Sequence, residues 1–141
     1  MCFLLVYKLI FFDVQYTIVY TNIGYALYEL KQFQEAVECY NEAIAINPKS
    51  DQCWNSKGNA LYELKQFQGA VKCFNEAIAI NPKFDQFWNN KGNALRNFKQ
   101  HQEAVECYNE AIAIISKSDA SRNNKDNQLL NINMQVVYYT N

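Results

Sequence analysis

The side chains of this sequence that could carry chemistry are five cysteines, one histidine and fourteen acidic residues. Cys39, Cys73 and Cys107 invite a metal or disulfide reading. Zinc sites draw on closely spaced pairs such as Cys-x-x-Cys, and the sequence contains no such pair. The three thiols are instead separated by 34 residues each. That interval is the period of the whole chain. Equivalent positions on stacked helices lie roughly 10 Å apart, beyond the reach of a disulfide. Cys2 and Cys53 have no matching partner. The lone His101 excludes a multi-histidine metal site and stands in no triad-like order. Glu35, Glu38 and Glu42 recur as Glu103, Glu106 and Glu110 on a solvated helix face. Acid–base work by paired carboxylates requires a desolvated cleft that raises one pKa. Gly24, Gly58 and Gly92 are isolated and build no phosphate-cradling loop. The expectation is a chain with no catalytic, cofactor-binding or metal residues, and no enzyme activity.

Those residues sit in a chain of 141 residues, half of them hydrophobic, 15% aromatic and 19% charged. This is enough apolar matter for a core. Thirteen basic residues against fourteen acidic ones give a formal net charge of -1. The strong positive field of a nucleic-acid binder is missing, so no nucleic acid is expected as a partner. Only four Gly and two Pro occur, too few for a turn-rich β protein. Met1–Phe12 is apolar but about a dozen residues long, short of the roughly 20 that span a bilayer. It has neither the basic start nor the cleavage site of a secretory signal. No Asn-x-Ser/Thr acceptor occurs. Cytoplasmic residence without membrane attachment is expected.

The elements that position these residues repeat. Residues 17–50, 51–84 and 85–118 align without gaps, and each adjacent pair of blocks shares 22 of 34 positions. The middle block predicts a first helix from about Asp51 to Leu64, with Trp54, Leu61 and Leu64 at helical spacing around Gly58 and Ala60. Lys65-Gln66-Phe67-Gln68 forms a turn plugged by an aromatic ring. A second helix follows to Ile80, with Ala70, Val71, Phe74, Ala77 and Ile78 in one stripe. Asn81-Pro82 ends it, because Pro lacks the next N–H and disfavours helix before it. Asp51 and Asp85 stand where N-caps are needed. A mid-helix Gly costs about 1 kcal/mol against Ala, so three in register imply close helix approach.

Trp–Gly–Leu–Ala–Tyr/Phe–Ala–Pro at these offsets, in three copies, resembles the tetratricopeptide repeat (TPR) family over about 102 of 141 residues. The resemblance implies an all-α solenoid of three helical hairpins wound into a right-handed superhelix. Departures are visible. The family's Leu at position seven is Ile23, Lys57 and Lys91, whose lysine stems can pack with their heads in water. Tyr20 replaces Trp, His101 replaces the plug, and Ser116 replaces Pro, which lets the last helix run on. Residues 1–16 read as an atypical N-terminal segment or cap. Within residues 119–141, Asp119–Gln128 reads as a polar linker, and Leu129–Tyr139 as a capping helix or, by its alternation, a strand.

By the same resemblance, the first helices line a concave groove that binds a partner protein or peptide. The groove residues implied are Asn22, Asn55, Asn59, Tyr62, Asn89, Asn90, Asn93 and Arg96. Amides can satisfy peptide backbone with little sequence demand. The carboxylate clamp of chaperone-binding members would fall on Thr21, Tyr25, Ser56, Gln86 and Asn90. None is a cation, so chaperone C-terminal tails are not expected as ligands. The functional expectation is a non-catalytic adaptor or scaffold. Two alternatives remain: an accessory segment of a larger enzyme such as a glycosyltransferase, and a self-associating repeat, favoured by the apolar Met1–Phe12.

Overall fold

The computed structural model describes residues 2–139, with the side chains of 13–120 and 122. These residues form six helices and no strand: α1 (Cys2–Glu29), α2 (Phe33–Ile46), α3 (Asp51–Glu63), α4 (Phe67–Ile80), α5 (Asp85–Asn97) and α6 (His101–Tyr139). Consecutive helices pair as hairpins, and each hairpin packs more extensively on itself than on the next. α3 also touches both α1 and α5 directly, which places the three in one layer.

Small residues set the approach within each hairpin. Ala36, Ala60, Ala70, Ala77 and Ala94 are fully buried. Tyr40 and Phe74 fill the space opposite them. Leu61, Cys73 and Ala94 join the same cluster, so one core runs through adjacent hairpins. A solenoid has no other route to a continuous core, since each hairpin buries its faces only on its neighbours.

Each hairpin turn is closed by a lysine with positive φ: Lys31 (59°), Lys65 (60°) and Lys99 (65°). Around Lys65, Gln66 N–H donates to the Leu61 carbonyl and Lys65 N–H to the Tyr62 carbonyl. This is the Schellman pattern, built here without the usual glycine. The aromatic plugs stack edge-on: Phe33 on Tyr28 at 5.3 Å and Phe67 on Tyr62 at 5.5 Å. His101 opens α6 at the equivalent place and is exposed.

Between hairpins the tryptophans act as latches. Trp54 Nε1 donates to the Pro48 carbonyl at 2.9 Å, and Trp88 Nε1 to that of Pro82 at 3.0 Å. The lysines at position seven lie over the same rings, Lys57 Nζ at 5.3 Å from Trp54 and Lys91 Nζ at 5.6 Å from Trp88. Their stems thus pack as the sequence suggested, with a cation–π contact added.

Two sequence expectations require revision. Asp51 and Asp85 are not N-caps but the first helical residues. The cap of α3 is Ser50, whose Oγ accepts from Cys53 N–H at 3.3 Å, and Phe84 precedes α5 with no side-chain cap. Asp51 instead accepts from its neighbour Gln52 N–H and from Asn81 Nδ2. Residues 2–16 are helical backbone within α1, which runs unbroken through them. Asp119–Gln128, read as a linker, is helical backbone continuous with α6, and Leu129–Tyr139 takes the helical rather than the strand alternative. Ser116, unlike Pro, supplies the N–H that continuation needs. Whether these ends act as caps falls outside the described side chains.

Candidate functional site

α1, α3 and α5 each contribute side chains to one shared recess. Asn59, Tyr62, Asn90 and Asn93 come together there around a cavity of about 240 Å³, with Tyr28 from α1 and Gln86 from α5. Half-burial suits these residues to two tasks at once. Asn90 Nδ2 donates to Asn55 Oδ1 at 2.9 Å and to Asn59 Oδ1 at 3.3 Å, tying α5 to α3. The Tyr108 hydroxyl donates to Asn93 Oδ1 at 2.8 Å. Asn97 Nδ2 donates to the Tyr62 hydroxyl at 2.9 Å. The amides are therefore already engaged in lacing neighbouring helices together.

The other sequence-predicted residues lie apart. Asn22 is exposed and lines a recess of about 560 Å³ with Thr17, Thr21, Ile46 and Cys53, where α1 passes the α2–α3 junction. Asn89 is exposed beside Tyr108 and Ile112 in a recess of about 520 Å³ at the α5–α6 end. Arg96 is exposed near the C-terminal end of α5. Asn97, at position thirteen of the third repeat, reaches Tyr62 across repeats, and Tyr108 reaches Asn93 across its own hairpin; no local motif signals either bond.

The one charged side chain lining the 240 Å³ cavity is Glu63. Burial raises the Tyr28 phenol above its ordinary pKa, and the carboxylates of Glu63 and Glu29 add to the rise. At the clamp positions, Thr21 Oγ is bonded to the Thr17 carbonyl and lies 3.2 Å from Cys53 Sγ. Asn90 is held by its two amide partners.

Burial governs the thiols with displaced pKa values, Cys39, Cys73 and Cys107. Cys39, Cys53, Cys73 and Cys107 are free thiols. Burial raises the pKa of Cys73 and Cys107, partly countered by Lys57 and Lys91 respectively. A raised pKa keeps sulfur in the unreactive thiol form. Among the described residues no group of three His, Cys, Asp or Glu side chains could hold a metal ion. Among the same residues no helix is long and apolar enough to cross a membrane.

The fold and groove define a helical repeat solenoid of the interaction type. The Tetratricopeptide repeat family model matches residues 18–50, 52–84 and 86–118, and the chain belongs to that family. No curated protein matches the sequence significantly. Among solved structures, the Arabidopsis OM64 TPR domain is similar, with 26% identity, a TM-score of 0.70, and coverage of 72% of this chain and 84% of that one. The crystal structure of MamA matches at 21% identity and TM-score 0.72, covering 74% of this chain and 61% of that one. This chain thus spans less than two thirds of the MamA structure. The second TPR of Spaghetti (RPAP3), bound to the HSP90 peptide SRMEEVD, matches at 18% identity and TM-score 0.69, with coverage of 71% and 93%. The latter two likenesses speak for the fold.

Proposed function

We propose that this chain is a non-catalytic protein-interaction module that holds an extended peptide in the groove formed by α1, α3 and α5. The observation that carries the reading is the 240 Å³ cavity where Tyr28, Tyr62, Asn90 and Asn93 converge from all three helices. Tyrosine edges supply rigid amphipathic area of the kind enriched at interfaces. The second lone pairs of the amide oxygens remain available to peptide N–H groups. An adaptor or scaffold role in the cytoplasm follows, and free thiols suit that reducing compartment.

Charge selects the peptide. Glu63 and Glu29 beside Tyr28 favour a ligand with a basic side chain. An acidic tail such as SRMEEVD, which the Spaghetti domain holds, would bring carboxylates into this groove with no cation at Thr21, Tyr25, Ser56, Gln86 or Asn90 to receive them. Unpaired carboxylates lose their hydration without recompense.

The test is a displayed library of random peptides selected on the 141-residue chain, followed by affinity measurements. Enrichment of peptides with Lys or Arg, and at least tenfold weaker binding by Tyr62→Ala and Glu63→Lys variants of unchanged helicity, is the expected result. Selected peptides that bind both variants as well as the parent would move the site elsewhere. Tight binding of SRMEEVD would overturn the charge argument.

A further inference from the structure

The two ends of the array expose the two halves of a junction that the chain forms twice internally. At each internal junction a second helix is covered by the next first helix. Ala77 and Ile78 of α4 cluster with Phe87 of α5, and Val71 packs against the cluster containing Leu95. One period later, α6 carries Ile112 and Val105 at the positions of Ile78 and Val71, and among the described residues no helix covers them. Ile78 is 9% exposed whereas Ile112 is 60% exposed. The recess beside it, about 520 Å³ and lined by Tyr108, Ala111, Ile112 and Ile115, sits where Phe87 fills the equivalent space one repeat earlier.

α1 presents the complementary half. Phe87 and Cys53, at position three of their repeats, are 2% and 1% exposed, while Val19 at the same position is 48% exposed. Position seven is Lys57 and Lys91 inside the array but Ile23 on the free face, where it is also exposed. An isoleucine replaces lysine at the one copy whose face meets solvent. That is the reverse of what a solvated surface favours, and what an apolar partner favours.

We infer that these faces bind each other between copies of the chain, with α6 of one molecule packed on α1 of the next, as α4 packs on α5. Ile112 then meets Val19 of a second copy, and Val105 lies beside its Tyr20. The contact is head-to-tail. Because its two surfaces differ, each molecule keeps one free face of each kind, and the assembly grows as an open stack. α2 ends and α3 begins at one pole of the array, with four residues between them. By the same geometry α6 beyond Ile115 and the second copy's α1 before Thr17 leave the junction side by side at one pole, so neither blocks the other.

The experiment uses the 141-residue chain with Ile112→Glu and Ile23→Glu, both at exposed positions, with far-UV circular dichroism to verify helicity. Light scattering should show the parent's mass rising with concentration above 16.4 kDa without stopping at a dimer. Each variant alone should remain monomeric. An equimolar mixture should double in mass and go no further, because only one intact face of each kind remains. A parent that stays at monomer mass would overturn the proposal and leave both faces to other proteins. So would either variant self-associating alone, which marks a like-with-like contact, or a mixture that stays monomeric.

Discussion

Gly58 lies directly under the ring of Phe74: a β-carbon built on Gly58 would come within 2.6 Å of Phe74 Cε1. The same relationship holds between Gly24 and Tyr40 and between Gly92 and Tyr108, each at 2.7 Å. The glycine is therefore kept for the space it leaves, not for backbone freedom, since none of the glycines with described side-chain surroundings has positive φ. The helical hairpin closes only because each first helix offers a bare backbone patch to an aromatic ring.

Gly58→Ala should destabilise the array. Helix propensity gains about 1 kcal/mol, but forcing a methyl into a filled core costs about 1–3 kcal/mol. Phe74 is buried and cannot swing away. A net loss of up to about 2 kcal/mol is expected, read as a lower urea midpoint. Gly92→Ala should cost less, because Tyr108 is half-buried and can tilt outward. Phe74→Leu added to Gly58→Ala should recover part of the loss. A stabilised Gly58→Ala variant would refute the contact.

The three-hairpin solenoid was legible in the sequence because each hairpin repeats the same packing constraints. Gly58 opposite Phe74 and Ala60 opposite Ala70 recur every 34 residues, so any error in one copy is corrected by the others. The caps were not legible. Ser50 and Asp51 are both good capping residues, and only the backbone shows that the helix begins one residue earlier than an Asp51 cap would require. The resemblance named Asn59, Tyr62, Asn90 and Asn93, but nothing in the sequence signalled the bonds they make. Asn90 reaching Asn55 and Asn59 depends on the angle between adjacent hairpins, which no single repeat encodes. The helical continuity past Ser116 rested on an absence of Pro, which permits a helix without demanding one.

Asn90→Ala should lower stability by about 1 kcal/mol, the usual net worth of such a bond. It leaves Asn55 Oδ1 and Asn59 Oδ1 without their shared donor. Because the bond crosses from α5 to α3, the loss should appear as weaker coupling between hairpins. Amide hydrogen exchange should quicken in α5 and α6 while α1 and α2 keep their protection. Uniform acceleration throughout would show that Asn90 acts otherwise.

Lys65→Gly should raise stability. A non-glycine residue at positive φ costs roughly 1–2 kcal/mol, and glycine's greater unfolded freedom returns about 0.5–1 kcal/mol of that. The backbone bonds from Lys65 and Gln66 to Tyr62 and Leu61 are unaffected. The net gain of about 0.5–1 kcal/mol should also appear at Lys31 and Lys99, and the three together should approach additivity because the turns are far apart. Lys65→Val should fall in the opposite direction.

Tyr40 should make the fold sensitive to alkali. Its side chain is buried, which disfavours the phenolate and pushes its pKa from 10.0 up to about 12, against a lesser opposing effect from a hydrogen bond with Ser56. The folded pKa lies above the unfolded one. Tyr40 therefore stabilises the fold fully below pH 10, and that contribution is lost as the pH climbs from about 10 to about 12. Urea midpoints should decline over this interval. Tyr40→Phe removes the ionisable group and should flatten the decline, while also forfeiting the Ser56 bond and so starting from a slightly lower midpoint at neutral pH. Buried Cys73 and Cys107, also raised, act in the same direction at lower pH. A Cys73→Ala, Cys107→Ala background separates the two: the phenol's share should persist there above pH 10 and disappear only with Tyr40→Phe.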